Sequence, residues 1–158
     1  VVLVAFGGGF TSGAVVYENM ETSVPGIFAC GNVVHVHDLV DYVSAESERA
    51  GAAAAAYVQA ARPAAGGAVL EVKNGAGVSY TVPQHVRAGA QKAEVFFRVN
   101  RVLGTSRIVV QDGAGTRIAQ YRREHMAPGE MEHIVLPAAL LQKAQGALTL
   151  HVQEVAQA

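Results

Sequence analysis

An α/β segment followed by an all-β sandwich is the architecture this sequence predicts, and three observations predict it. First, composition shifts near residue 65: Ala, Gly and short apolar runs precede it, and short alternating segments parted by turn residues follow. Second, residues 45–61, AESERAGAAAAAYVQAA, are rich in alanine, the strongest helix former. Third, Val95, Phe97 and Val99 alternate with Phe96, Arg98 and Asn100, and Leu148, Leu150 and Val152 alternate with Thr149, His151 and Gln153. A period of two marks half-buried strands. The expected boundaries are 1–62 for the α/β unit, 63–67 for a linker and 68–158 for the β unit. The run Arg62-Pro63-Ala64-Ala65-Gly66-Gly67 marks the joint, because Pro and Gly punctuate regular structure.

The elements follow in order. Val1 to Phe6 reads as a strand apolar on both faces, of the parallel-sheet kind, broken by Gly7, Gly8 and Gly9. Val15 to Tyr17 is a short strand, and Gly26 to Cys30 (GIFAC) is a third apolar run of parallel type. The helix over 45–61 takes Ser44 as its N-cap, with Glu46 and Glu48 near its positive end. In the second unit strands are expected at 68–73, 77–82, 93–101, 106–111, 116–123, 131–136 and 146–155. Turn signals stand at Asn74-Gly75, Asp112-Gly113 and Pro128-Gly129. Pro137 to Gln142 suits one helical turn. Seven short strands in this length suggest an antiparallel sandwich of immunoglobulin-like type.

Bulk composition narrows the function. With 158 residues and 51% apolar side chains, the chain can bury a real core. A net charge of −1 gives no general pull toward nucleic acid or a membrane surface. Residues 69–158 carry ten basic and seven acidic groups, too small a surplus to mark a nucleic-acid face. One cysteine, Cys30, excludes an internal disulfide and fits a reducing, cytoplasmic setting. No stretch is long enough to span a bilayer. VVLVAF at the start lacks the basic flank and length of a signal peptide. The first residue is Val rather than Met, so the chain is expected to begin inside a longer protein.

Residues 22–41, TSVPGIFACGNVVHVHDLVD, concentrate the chemistry. His35-x-His37 on an extended segment would put both imidazoles on one face, with Asp38 or Asp41 as an added oxygen donor. The metallo-β-lactamase pattern, His-x-His-x-Asp-His, is not met: Asp38 follows His37 directly and Leu39 comes next. Two loop histidines bonded locally are therefore expected, with no metal.

A second pattern lies in the same residues. Thr22-Ser23-Val24-Pro25-Gly26-Ile27-Phe28-Ala29-Cys30-Gly31-Asn32 resembles the second FAD fingerprint of the pyridine nucleotide-disulfide oxidoreductase superfamily, roughly T-x-x-P-x-hydrophobic-aromatic-A-x-G-D. The run GNVVHVHDLVD, then Ser44 to Gly51, is similar to a bacterial branch of NAD(P)/FAD-dependent oxidoreductases with an extra C-terminal β domain. The likeness covers about residues 14 to 61. It implies a partial Rossmann-like FAD-binding segment ahead of the immunoglobulin-like sandwich, with FAD as cofactor and NAD(P)H as co-substrate. It implies Gly31, Asn32 and Val33 beside the flavin's ribityl and pyrophosphate groups. It also implies that Val43, Ser44 and Ala45, at a helix N-terminus, face the flavin's pyrimidine edge. The sequence departs from the fingerprint at Asn32, where Asp is usual; Asn keeps an acceptor and adds a donor.

Other family motifs are absent: G-x-G-x-x-G for FAD, the NAD(P) motif and C-x-x-C. The resemblance thus implies a C-terminal part, with partner domains for FAD and NAD(P) upstream. Cys30 reads as a small buried residue rather than a redox thiol. Arg98, Arg101, Arg122 and Arg123 read as a solvated face. The β unit is expected to pack on the flavoprotein body, to help a homo-oligomer form, or to contact a redox partner. Two rival readings stand: a non-catalytic interaction module, and a metal hydrolase on His35 and His37.

Overall fold

The computed structural model describes residues 14–60 and 67–155. The expected strand at Val1 to Phe6 and most of the joint, residues 61–66, lie outside the described residues. The chain holds mixed α/β structure with two sheets. Helix α1 is Val40–Gln59; then come β1 (Val69–Asn74), β2 (Val78–Val82), β3 (His85–Arg87), β4 (Lys92–Val99), β5 (Ser106–Gln111), β6 (Arg117–Arg123), β7 (Glu132–Pro137), α2 (Ala138–Leu141) and β8 (Leu148–Glu154). The seven expected strands appear within two residues of their expected ends. The helical turn near Pro137 is present as α2, and β3 is an addition.

One sheet has the order β3-β1-β8-β5-β6 and the other β2-β4-β7. Period two builds the core between them. On β4, Val95, Phe97 and Val99 turn inward, against Ile108 and Val110 of β5 and Leu150 of β8. Asp112 at the β5–β6 turn accepts from the Ala114 and Thr116 amides, which closes the hairpin locally, and from the Gln145 amide in the segment before β8. The sandwich departs from the purely antiparallel expectation at one seam. β1 runs parallel to β8, with Val72 opposite Leu148 and Asn74 opposite Leu150. Chain direction across a seam is a tertiary choice that alternation does not encode, because both directions share the period.

The first unit differs more. Gly26 to Cys30 does not form a parallel-type strand among the described residues. It makes one antiparallel bridge, Glu21 to Phe28, inside a tight excursion that also bridges Val16 to Thr22. Its backbone groups are taken locally: the Thr22 amide bonds Ile27 O at 2.7 Å and the Ala29 amide bonds Met20 O at 3.0 Å. Val15 to Tyr17 likewise shrinks to bridges, one of them Tyr17 with His85 of β3. Gly26, at φ +81°, turns the chain under the end of α1, and a Cβ there would lie 2.9 Å from the Tyr57 ring.

Helix α1 begins five residues before the expected start, so Ser44 is not its N-cap. Leu39, extended at φ −123°, holds that position without a side-chain bond, and Ser44 Oγ bonds Val40 O one turn back, at 3.0 Å. Val40, Tyr42 and Val43 are modest helix formers. Packing overrides the propensity, since Tyr42 sits 5.5 Å, centroid to centroid, from Phe96 of β4.

The first segment is seated on the β unit. A small second core gathers Val16, Met20, Ala29, Val34 and Ala50 with Val82 of β2. Gln84 bonds Val16 through side chain and backbone, and Arg87 binds Glu18 at 2.9 Å and stacks 4.2 Å over the Tyr17 ring. Phe97→Ala, at the fully buried centre of β4, should cost about 3–5 kcal/mol in urea unfolding. Exposed Arg122→Ala should stay within about 0.5 kcal/mol of wild type.

Candidate functional site

The site starts at the peptide after Cys30. Cys30 is extended, and Gly31 then takes φ +73°, a region open to glycine at little cost. A 3-10 turn follows over Gly31–Val33, closed by Gly31 O accepting from the Val34 and His35 amides at 2.8 and 3.3 Å. Beyond it the chain extends again. His35 and His37 fall on the inner side and Val36 between them on the outer.

Both imidazoles converge on one carboxylate. His35 Nε2 and His37 Nε2 each lie 3.0 Å from Glu46 Oε2, and the Gly31 amide donates to Glu46 Oε1 at 2.6 Å. The side chains are 3%, 0% and 1% exposed. The two rings stand 4.0 Å apart, with Phe96 5.8 and 5.5 Å from them and Tyr42 beside His37. Among the described residues no lysine or arginine bonds Glu46. Burial alone would push its carboxyl up. Hydrogen bonds from His35, His37 and the Gly31 amide, with the charge of His35, outweigh burial and bring it from 4.5 to about 2.

β4 closes the site from the other side. Its outward residues are Glu94, Phe96 and Arg98, in the alternate register to the core set. Glu94 pairs with Arg49 of α1. Phe96 lids the imidazoles. Arg98 bonds Asp38 and, at 3.1 Å, Val36 O, while the Met131 amide also donates to Asp38. Burial would raise the Asp38 carboxyl, but Arg98 and the Met131 amide hold it below the usual range. Arg98 is therefore a clasp between the two units and not part of a solvated face. Arg101 and Arg123 pair with Glu154 and Glu132, and Arg122, which is exposed, makes no ion pair among the described residues.

The residues singled out from sequence divide. Gly31 is buried; Asn32 is exposed at the turn; Val33 is half-buried. Val43 lies one helical turn before Glu46, and its Cγ1 is the single atom within 4 Å of a Cβ built on Gly31, at 3.8 Å. Ser44 and Ala45 lie past the first four amides of α1, which are the ones a helix leaves free, so they are not at its N-terminus. Asp38 and Asp41 do not join the histidines: Asp38 is taken by Arg98 and Asp41 is exposed. Cys30 is a half-buried free thiol.

Glu46 was assigned only to the helix dipole by sequence, yet it is the centre of the cluster. A signal for it exists once the helix starts at Val40. Val43, Glu46, Ala50 and Tyr57 then share a face, and Glu46 is the one charged residue on it. Comparison of the chain with protein-family models, curated proteins and solved structures gives no match. Among the described residues no helix is long and apolar enough to cross a membrane.

The depressed Glu46 carboxyl sets a pH dependence. Between pH 4.5 and about 2 the unfolded chain binds this proton and the folded chain does not, so stability present above 4.5 is lost as pH falls through that window. Urea unfolding across this range, with a chelator present, should show the loss in wild type. In Glu46→Gln the contribution of this group should be missing, so the wild-type advantage shrinks toward low pH. A difference between the two that stays constant with pH would contradict an ionised Glu46.

Proposed function

We propose that this chain is the C-terminal part of an FAD-dependent, NAD(P)-linked oxidoreductase and contributes one wall of the flavin site. The observation that carries the reading is the joining of the fingerprint-like run to an uncapped helix N-terminus. Residues 22–32 end in Gly31 at positive φ, and Gly31 packs beside Val43 in the first turn of α1. No side chain caps that turn. Its free amides and positive dipole suit an anionic or electron-rich ligand edge.

The residues fit such a ligand with one adjustment. The Gly31 amide is already given to Glu46, so Gly31 would offer close approach rather than a hydrogen bond. The donors then fall to the amides of Val40 and Asp41, in place of Val43, Ser44 and Ala45, because the Tyr42 amide already bonds Leu39 O and the Val43 amide opens the helical ladder. Asn32, exposed at the turn, offers both a carbonyl and an amide for a ribityl hydroxyl or a phosphate. The carboxylate of Glu46 holds the turn rigid from beneath. Leu39 and Val40, 54% and 75% exposed, would exclude water around the donors once covered.

Bound FAD would supply hydride acceptance from a nicotinamide and its onward transfer. The chain's own residues would bind and orient it and favour negative charge on its reduced form. Helix α1 buries only Glu46 and Ala50, and Val58 on its outer side is 77% exposed. That bare face is what a Rossmann-like segment presents to the remainder of its domain. On the same reading the two-sheet unit is an immunoglobulin-like appendage, placed to meet a second copy or a redox partner, in a cytoplasmic enzyme.

The test is the visible spectrum of the chain expressed with its native upstream residues. A flavin band bleached by NADH or NADPH is expected, and Asn32→Leu should lower the flavin retained per chain. A colourless, well-folded protein would overturn the reading and leave a non-catalytic interaction module.

A further inference from the structure

We propose that His35, His37 and Glu46 bind a divalent transition metal of the zinc type, in a closed site that ties the loop after Gly31 to helix α1. Two imidazole nitrogens and a carboxylate oxygen are a donor set that zinc takes readily, while magnesium and calcium call for oxygen alone. The three donor atoms lie within 4.8 Å of one another. Each Nε2 is 3.0 Å from the carboxylate oxygen. Tetrahedral bonds of about 2.0–2.1 Å would set donors roughly 3.3–3.4 Å apart, so each imidazole–carboxylate pair needs to part by only a few tenths of an ångström, with the two imidazole nitrogens brought to the same spacing.

Two further observations bear on a cation at this point. The Nδ1 atoms of His35 and His37 are buried, and among the described residues neither has a hydrogen-bond partner. Each ring thus has Nε2 as its one polar contact, and both are aimed at the same oxygen. Glu46 is a buried carboxylate whose side-chain partners are two imidazoles and whose remaining contact is an amide. A buried anion calls for positive charge beside it, and a metal ion at the point of convergence supplies that charge. The Gly31 amide on Oε1 fixes the carboxylate in the manner of an outer-shell partner. Ligation through Nε2 leaves each ring's proton on Nδ1, where no acceptor stands among the described residues.

The exposure of the three side chains, 3% at most, separates this site from a hydrolytic centre, which keeps a position open to substrate. Phe96 and Tyr42 wall it, and the remaining coordination position falls to an enclosed solvent oxygen. The metal's role is therefore positional: it sets the angle at which α1 leaves the Gly31 turn. The proposal does not depend on a flavin, since it is read from this chain's own side chains.

The experiment is metal analysis of the full chain after exhaustive dialysis, followed by titration of the chelator-treated protein with Zn²⁺ and with Co²⁺. One equivalent of zinc per chain is expected, with a Co²⁺ ligand-field band of tetrahedral strength and a melting temperature that rises with zinc. His37→Gln and Glu46→Gln should each weaken zinc binding by more than about tenfold, the least that loss even of an outer-shell partner typically brings. Glu48→Gln, exposed on α1 and outside the cluster, should bind zinc as wild type does. Circular dichroism reports whether each variant folds; if neither does, the stoichiometry and Co²⁺ spectrum of the wild-type chain decide. A folded wild-type chain without zinc above background and without the Co²⁺ band would overturn the proposal and leave a hydrogen-bonded trio. Zinc binding that survives both folded ligand variants would overturn it as well. Both readouts hold for colourless protein, so they stand apart from the flavin test.

Discussion

One buried carboxylate organises the first half of this protein. Glu46 receives the Gly31 amide on one oxygen and two imidazoles on the other, and so draws three separate stretches of chain to a single point. Without it the 3-10 turn at Gly31, the extended His35–His37 segment and the inner face of α1 would have no shared partner. An ionised group in that position is costly to bury, and each contact offsets part of the cost. The start of α1 beside Gly31, on which the proposed cofactor contact rests, is a consequence of this arrangement.

The second constraint is the two-faced strand β4. Val95, Phe97 and Val99 complete the sandwich core, while Glu94, Phe96 and Arg98 reach the first unit. A strand cannot change register on one face without turning its other face over. The packing of the sandwich therefore also places the Phe96 lid and the Arg98 clasp. The aromatic lid separates the Glu46 cluster from bulk water, and low local dielectric strengthens every polar contact there. The two units are coupled through side chains far apart in sequence, such as Asp38 with Arg98 and Arg49 with Glu94.

The sandwich strands were legible because each buries one side against the other sheet, and alternation records that. Leu148, Leu150 and Val152 needed no partner's identity to announce a strand. GIFAC misled for the complementary reason. A short apolar run satisfies several environments, and here two glycines at positive φ bend it into local bridges. The helix was legible in its alanine-rich body but not in its start. Tyr42 and Val43 are held by packing on Phe96 and Gly31, which helix propensity does not carry. Histidines one residue apart correctly suggested a shared face, but their neighbour in space came from nine residues further on in a helix, and not from Asp38 or Asp41.

By itself the sequence determined the strand positions, the helical body, the paired imidazoles and the glycine-ended run at residue 31. These are local properties, set by periodicity, propensity and backbone freedom. Only the tertiary structure decided the parallel seam between β1 and β8, the role of Glu46 and the use of Arg98 as a clasp. Each of those depends on groups that meet only after collapse. A charged side chain looks the same in sequence whether it ends in water or against a buried partner, and burial, which a linear pattern does not contain, makes the difference.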